Sequence, residues 1–304
     1  MTRLKIAATQ FALRPETSLD VFFEHVSDLV QRAAGAGAEL VLLPELVTTG
    51  LLASHPDSAE LSPDRVDEVY RTLFPLIADH YVDRMSDLAR QSGTVIAGAS
   101  NIRLHVDGSF RNTAYLFHPD GRVDAQDKLH LTPPERAMGI TPGDRVSLFN
   151  VNGFRVALQI CADIEFPEVS RELALEGAEL ILAPSLTWNS RGSNRVRYGA
   201  HARAMEDQLY VAVAPLVGSN GFPVGSPLHC TGFAMIATPL DRTFGVNDGV
   251  LAAHQDNREE GFILAELDTA LVAASRSTPE PPGLKYIRPE LYRQIRADRV
   301  RQGV

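Results

Sequence analysis

The chain has 304 residues, of which 44% are hydrophobic and 22% are charged, a composition typical of a globular protein and not of a disordered one. Its apolar runs fall short of the roughly 18 residues that a membrane-spanning helix needs. Its net charge of −9 argues against non-specific binding to nucleic acid or to an anionic membrane. We therefore expect a cytoplasmic protein whose partners are small molecules.

Apolar segments along the chain predict a series of strands, with amphipathic helical stretches between several of them. The strands are predicted at Leu4–Ala8, Leu40–Leu43, Thr94–Gly98, Ala114–His118, Arg122–Gln126, Val156–Ile160, Leu180–Ala183, Val211–Ala214 and Phe233–Ala237. Helices are predicted at about Leu19–Ala34, Pro167–Glu176 and Arg195–Gln208. Alternation of the two kinds of element indicates an α/β fold.

Two segments of the chain, 37–46 and 177–186, resemble each other. Each reads as a buried strand that ends at a proline, Pro44 in the first and Pro184 in the second. A helical stretch and a further apolar strand follow each copy, which predicts two related sheet layers within one domain. Only the first copy places an ionisable residue, Glu45, after its proline.

The last part of the chain changes character at about Ser275. A proline-rich stretch at 277–283 is incompatible with regular structure, and a short charged helix is predicted at Glu290–Arg301. We expect one domain over 1–275 and a C-terminal arm over 276–304 that contributes an oligomer contact.

The chain has two cysteines, Cys161 and Cys230, which are too few for a disulfide scaffold. Cys161 follows an apolar strand and precedes a helix, a position in which a side chain enters a cleft and nearby backbone N–H groups can face an anion. Taken alone, a cysteine after an apolar strand is more often a small buried hydrophobic residue.

Glu45 and Lys128 also follow strand-like segments. A carboxylate at the end of a buried strand needs a partner or a function, and a structural salt bridge would satisfy Glu45 as well as catalysis would. Lys128 is one of only three lysines, with Lys5 and Lys285, and alone it could be a solvated surface residue. Together with Cys161 the two residues supply a base, a cation and a nucleophile.

At these residues the sequence resembles the nitrilase superfamily of carbon–nitrogen hydrolases. The matching blocks run in family order through nearly the whole chain: Ile6–Gln10, Leu43–Leu46, Asp127–Leu131, Ile160–Asp163, Phe166–Glu168 and Arg203–Glu206. The resemblance implies a four-layer αββα sandwich with an internal pseudo-two-fold repeat, a homodimer or higher homo-oligomer, and a Glu-Lys-Cys triad that needs no cofactor.

The resemblance also implies a role for each site residue. Glu45 corresponds to the general base, Lys128 to the group that stabilises the tetrahedral intermediate, and Cys161 to the nucleophile that forms a thioester with the acyl group. Glu135 stands where many members have a second glutamate, in a catalytic or a structural role. Ala162 stands where an aromatic residue is common, so we expect a wider pocket beside the nucleophile.

Three alternatives remain at this stage. Metal catalysis is disfavoured because no two histidines have the spacing of a helical zinc motif. A nitrilase would use the same residues on a C≡N bond. A catalytically silent binding or assembly protein could keep the fold, although all four catalytic positions are filled.

The substrate is expected to be a small amide-like or carbamoyl compound. Trp188, Asn189 and Arg191 follow the strand of the second repeat and are candidates to line the pocket, since loops at strand ends usually do; a surface or subunit contact would explain them as well. If Arg191 or Arg195 faces the site, the substrate is expected to carry a carboxylate.

Overall fold

The computed structural model describes residues 2–55, 65–219, 228–280 and 283–302, and it has the mixed α/β fold that the sequence predicts. Its strands are β1 (Arg3–Leu13), β2 (Leu40–Leu42), β3 (Val95–Leu104), β4 (Phe110–Phe117), β5 (Val123–Asp127), β6 (Phe149–Val151), β7 (Phe154–Leu158), β8 (Leu180–Ser185), β9 (Tyr210–Ser219), β10 (His229–Cys230), β11 (Met235–Ala237), β12 (Val250–Ala253) and β13 (Gly261–Asp268). Its helices are α1 (Leu19–Gly35), α2 (Val66–Ser92), α3 (Pro133–Ala137), α4 (Pro167–Leu175), α5 (Ser190–Asp207), α6 (Thr269–Ser277) and α7 (Pro289–Gln302).

The order of elements repeats within the chain. The first half runs β1, α1, β2, α2, β3, β4 and β5, and the second runs β7, α4, β8, α5, β9, β11 and β12. In each half the first three strands pair in parallel and the next two pair antiparallel. The resembling segments supply β2 and β8, the central strands of the two parallel sets, so the internal repeat is present in the connectivity.

The two halves meet along β1 and β9. The last residues of β1, from Phe11 to Leu13, pair in parallel with Leu216–Gly218 of β9. Alternate side chains of β2 enter different cores: Leu40 and Leu42 pack in a cluster with the strands of the second half, whereas Val41 packs with α1 and α2. This alternation follows from the two-residue period of a strand and explains why β2 is apolar throughout.

Helix α1 forms as its sequence predicts. Ser18 adopts an extended conformation and its side chain accepts a hydrogen bond from the backbone N–H of Val21, which caps the helix. Phe22, Val26 and Leu29 lie on its buried face. None of the helices in the described ranges is both long and apolar enough to cross a membrane.

Several predicted boundaries are wrong, each for a local reason. The strand predicted from Phe233 begins only at Met235, because the backbone N–H of Ala234 donates to the Gln10 side chain. The helix predicted from Arg195 begins at Ser190, because the Asn189 side chain caps it by accepting from Gly192.

The predicted domain boundary at 275/276 also does not coincide with the end of an element. Helix α6 continues through it to Ser277, and Ser275 is fully buried, where it bonds to the side chains of Gln208 and Asp241. The body of the protein therefore extends past residue 275.

Candidate active site

Three strand ends converge on one cavity of about 230 Å³. Glu45 lies just after β2, Lys128 follows β5, and Cys161 begins a short 3₁₀ turn after β7. Glu135, from α3, completes the polar end of the cavity. Each of the four residues is at least nine-tenths buried, so their charges interact in an environment where electrostatic contacts are strong.

The backbone at Cys161 is strained in a way that presents its side chain to the cavity. Its φ of 50° lies in the left-handed region, which costs a non-glycine residue on the order of 1–3 kcal/mol. The thiol is 3.5 Å from the carbonyl oxygen of Leu186, to which it donates. Such strain is common where a nucleophile sits on a sharp turn between a strand and a helix.

Lys128 lies between two carboxylates. Its Nζ is 2.7 Å from Glu45 Oε1, and 2.9 and 2.8 Å from the two oxygens of Glu135. Burial alone would lower the pKa of this ammonium, but the adjacent carboxylates raise the pKa well above its usual range. Lys128 is therefore a fixed positive charge at the polar end of the cavity.

The two glutamates have different environments. Burial raises the pKa of Glu45, and the nearby Glu135 raises it further, although Lys128 opposes the shift. Burial acts on Glu135 too, but Lys128 and the hydrogen bonds from Thr132 lower the pKa of Glu135 below its usual value. Glu45 is thus the carboxylate more suited to exchange a proton, and Glu135 the one that stays ionised.

Glu135 is held by a capping box. Both the backbone N–H and the hydroxyl of Thr132 donate to Glu135 Oε2, at 2.9 and 2.8 Å. This is the arrangement that the spacing Thr-x-x-Glu favours at the start of a helix, so the sequence did contain a signal for it.

The thiol of Cys161 is not a preformed thiolate. Burial raises the pKa of Cys161 well above its usual value, and the charge of Glu45 raises it further, while Lys128 opposes the shift. A thiol in this state needs a base to remove its proton as it attacks. Glu45 is the candidate for that task, because its carboxylate lines the same cavity as the thiol and its charge acts on the pKa of Cys161.

Sequence reasoning missed two polar residues that support these groups. The Asn112 side chain donates to both Glu45 Oε1 and Glu135 Oε1, at 2.9 and 3.1 Å. Asp163 accepts hydrogen bonds from the backbone N–H groups of His130 and Ile160, at 2.7 and 3.0 Å. The available signal for Asp163 was an acid two residues after the cysteine, whereas Asn112 precedes the strand predicted from Ala114 and had no signal of its own.

The cavity wall includes most of the predicted substrate-binding residues. Ala162, Trp188 and Asn189 line it, whereas Arg191 is exposed and lies outside the lining. Arg195, one turn further along α5, takes its place. Of the two arginines that the sequence offered for the site, Arg195 is therefore the one that lines the cavity.

Much of the remaining wall is apolar. Leu46, Val66, Tyr70, Met138 and Leu186 contribute to it. Within the part of the chain that the structure describes, no group of three or more His, Cys, Asp or Glu side chains is arranged to hold a metal ion.

Comparison with known proteins extends these observations. Residues 5–277 match the carbon-nitrogen hydrolase family. The chain is 31% identical over 95% of its length to the probable hydrolase YhcX of Bacillus subtilis, although it spans only 54% of that protein. It is 26% identical to omega-amidase NIT2 of Xenopus tropicalis, over 70% of this chain and 75% of the relative.

A solved structure shares the fold. An amidase from Nesterenkonia sp. superposes with a TM-score of 0.73 at 23% identity, over 96% of each chain. The family match covers almost the whole chain, and its bounds enclose the positions of all four residues at the polar end of the cavity. The chain therefore belongs to the carbon-nitrogen hydrolase family of the nitrilase superfamily.

Proposed function

We propose that the chain hydrolyses the C–N bond of a small carboxamide through a thioester on Cys161. The observation that carries this proposal is the enclosure of a thiol, an ammonium and two carboxylates at the end of one mostly apolar cavity. A nucleophile, a base and a fixed cation are the groups that acyl transfer requires.

The first half of the reaction forms the acyl-enzyme. Glu45 accepts the thiol proton as Cys161 Sγ attacks the carbonyl carbon of the amide. The Lys128 ammonium and the backbone N–H of Ala162 stabilise the resulting oxyanion. Glu45 then donates its proton to the departing nitrogen, the C–N bond breaks, and ammonia or an amine leaves behind a thioester.

The second half returns the enzyme to its initial state. Glu45 accepts a proton from a water molecule that attacks the thioester carbonyl, and the same donors stabilise the second tetrahedral intermediate. When the C–S bond breaks, Cys161 recovers its proton from Glu45 and the carboxylic acid is released. Glu135 stays ionised throughout and keeps Lys128 charged and in place.

We further propose that the substrate carries a carboxylate away from its amide group. Arg195 lines the cavity, and its Nε is 3.3 Å from Glu165, which orients the guanidinium. Its two Nη atoms form no hydrogen bond with the described part of the chain, so they can bind a carboxylate in bidentate geometry. The name of the omega-amidase relative fits such a substrate.

The reaction is tested by ammonia release from a panel of amides, carbamoyl amino acids and nitriles. We expect amides to be hydrolysed, and Cys161→Ala to reduce turnover by about a thousand-fold or more. Cys230→Ala is the matched control, because Cys230 is the other buried cysteine and does not line the cavity. Turnover of nitriles alone, or activity that survives in Cys161→Ala, would contradict the proposal.

The substrate class is tested by pairing each amide with a partner that differs only in charge, such as succinamate with butyramide. We expect a higher kcat/KM for the carboxylated member. Because a hydrogen-bonded charge contributes about 1.5–3 kcal/mol, Arg195→Gln should reduce this preference about 10- to 100-fold. Arg191→Gln should retain it, and an equal loss in both variants would place recognition elsewhere.

A further inference from the structure

Asn112 is hydrogen-bonded to both glutamates at the polar end of the cavity and to the backbone of Lys128. It lies in β4 and is completely buried. Its Nδ2 donates to Glu45 Oε1 and to Glu135 Oε1, and its backbone carbonyl accepts from the N–H of Lys128 at 2.9 Å. One residue thus holds the two carboxylates and the backbone of the lysine between them.

The geometry fixes which way the Asn112 amide points. Both N–H bonds of the side chain are directed at carboxylate oxygens, which accept and cannot donate when ionised. Oδ1 has no hydrogen-bond partner within the described ranges, so the contacts with Glu45 and Glu135 determine the orientation. A buried amide committed in this way is a rigid connection between the two glutamates.

The same two oxygens also accept from Lys128. Glu45 Oε1 lies 2.7 Å from Lys128 Nζ and 2.9 Å from Asn112 Nδ2, and Glu45 Oε2 accepts from the backbone N–H of Leu186 at 2.9 Å. These donors leave the Glu45 carboxylate little rotational freedom. A base must be held close to its optimum geometry to act on a thiol proton.

We propose that Asn112 is a positioning residue that fixes Glu45 and Glu135 on the Lys128 ammonium in the arrangement the reaction uses. The inference rests on the proposed function, because it assigns Glu45 as the base. Asn112, on β4, does not line the cavity. We infer that it does not touch the substrate and acts on the reaction through the ionisation of Glu45.

This role predicts a change in pH dependence that a purely structural role would not produce. A hydrogen bond donated to a carboxylate favours its ionised form, so removing Asn112 should move the ionisation of Glu45 to higher pH. Since a hydrogen bond to a charged group is worth about 1.5–3 kcal/mol, the acid limb of kcat/KM should move upward by about one pH unit or more. KM should change little.

The experiment compares Asn112→Ala with Asn101→Ala. Asn101 is also a fully buried asparagine on the neighbouring strand β3, but its Oδ1 accepts from Thr48 and, within the described residues, its Nδ2 donates to neither glutamate. We expect kcat to fall about 10- to 100-fold in Asn112→Ala, as for other residues that orient a catalytic group, with the acid limb displaced. Asn101→Ala should keep the native pH profile.

Two further measurements test whether Asn112 affects the ionisation of Glu45, even if Asn112→Ala folds poorly. Asn112→Asp retains the shape of the side chain and brings a third carboxyl group to the site, so it should move the acid limb upward by more than Asn112→Ala does. The rate at which iodoacetate alkylates Cys161, followed against pH, reports removal of the thiol proton by Glu45 with a reagent that contains no amide.

The outcomes separate the two proposals. A displaced alkylation profile without amide hydrolysis would support the role of Asn112 and refute the proposed function. Amide hydrolysis with an acid limb unmoved in Asn112→Asp, or moved equally in Asn101→Ala, would overturn the role of Asn112 and leave the function standing.

Discussion

Glu45 and Glu135 bind the same lysine, yet their surroundings shift their pKa values in opposite directions. Burial raises the pKa of Glu45, whereas Lys128 and the Thr132 hydrogen bonds lower that of Glu135. Two carboxyl groups whose pKa values differ can have different roles in one site: one exchanges protons and the other stays ionised. We assign the first task to Glu45 and the second to Glu135.

The assignment of Glu45 as the base predicts how kcat/KM of the native protein depends on pH. The proposed reaction needs ionised Glu45, whose pKa is raised, so kcat/KM should fall with decreasing pH through a value above the usual glutamate range near 4.3. The profile should be measured with an uncharged amide, so that substrate ionisation does not contribute. An acid limb at or below the usual glutamate pKa would assign the base to another group.

At the scale of the elements, Asp163 joins the two loops that carry Lys128 and Cys161. It is fully buried on the 3₁₀ turn that begins at Cys161, and it accepts from the backbone of His130 on the loop after β5. Its other oxygen accepts from Ile160, just before the cysteine. The relative position of the lysine and the thiol therefore depends on one carboxylate.

Asp163→Asn should disturb both loops, because the amide cannot accept from all of these N–H groups. Hydrogen bonds to a charged group are worth about 1.5–3 kcal/mol each, so we expect the free energy of unfolding to fall by about 2–4 kcal/mol and kcat/KM to fall with it. Chemical denaturation and kinetics measure the two effects. Glu168→Gln, an exposed change in the same segment, should alter neither.

The sequence allowed much of this site to be anticipated, because strand ends are readable from apolar runs. Glu45 and Cys161 each follow such a run, whereas Lys128 follows β5, which is largely polar and pairs antiparallel with β4. The resemblance to the nitrilase superfamily grouped Lys128 with the other two residues. Asn112 and Asp163 could not be assigned, because their function depends on contacts with residues far away in the chain. Arg191 and Arg195 could not be distinguished from the sequence, because which of them faces the cavity depends on the position of α5, which begins at Ser190.

At the scale of the whole molecule, His25 joins parts of the chain that are distant in sequence. It lies on α1 and is nearly completely buried, with Nδ1 2.7 Å from Glu16 and Nε2 2.5 Å from Glu260, which precedes β13. Burial alone would lower the pKa of His25, but the two carboxylates raise it above its usual value. The imidazolium therefore connects α1 to the segment that precedes β13.

The sign of the stability effect follows from the raised pKa. The contribution of His25 is complete below the pKa of the unfolded chain, near 6.5, and is lost as pH rises through the higher pKa of the folded chain. The difference in free energy of unfolding between native protein and His25→Gln should therefore shrink as pH increases across that range. Exposed His80 in α2 provides the control His80→Gln; a difference that grows with pH would contradict the raised pKa.

The central claim is that the sulfur of Cys161 carries the acyl group of an amide substrate. Intact-mass spectrometry of enzyme quenched in acid during turnover, followed by peptide mapping, tests it most directly. We predict a mass increase equal to the acyl group, confined to the peptide that contains Cys161 and absent from Cys161→Ala. An adduct on any other residue, or turnover that continues in Cys161→Ala, would contradict the account.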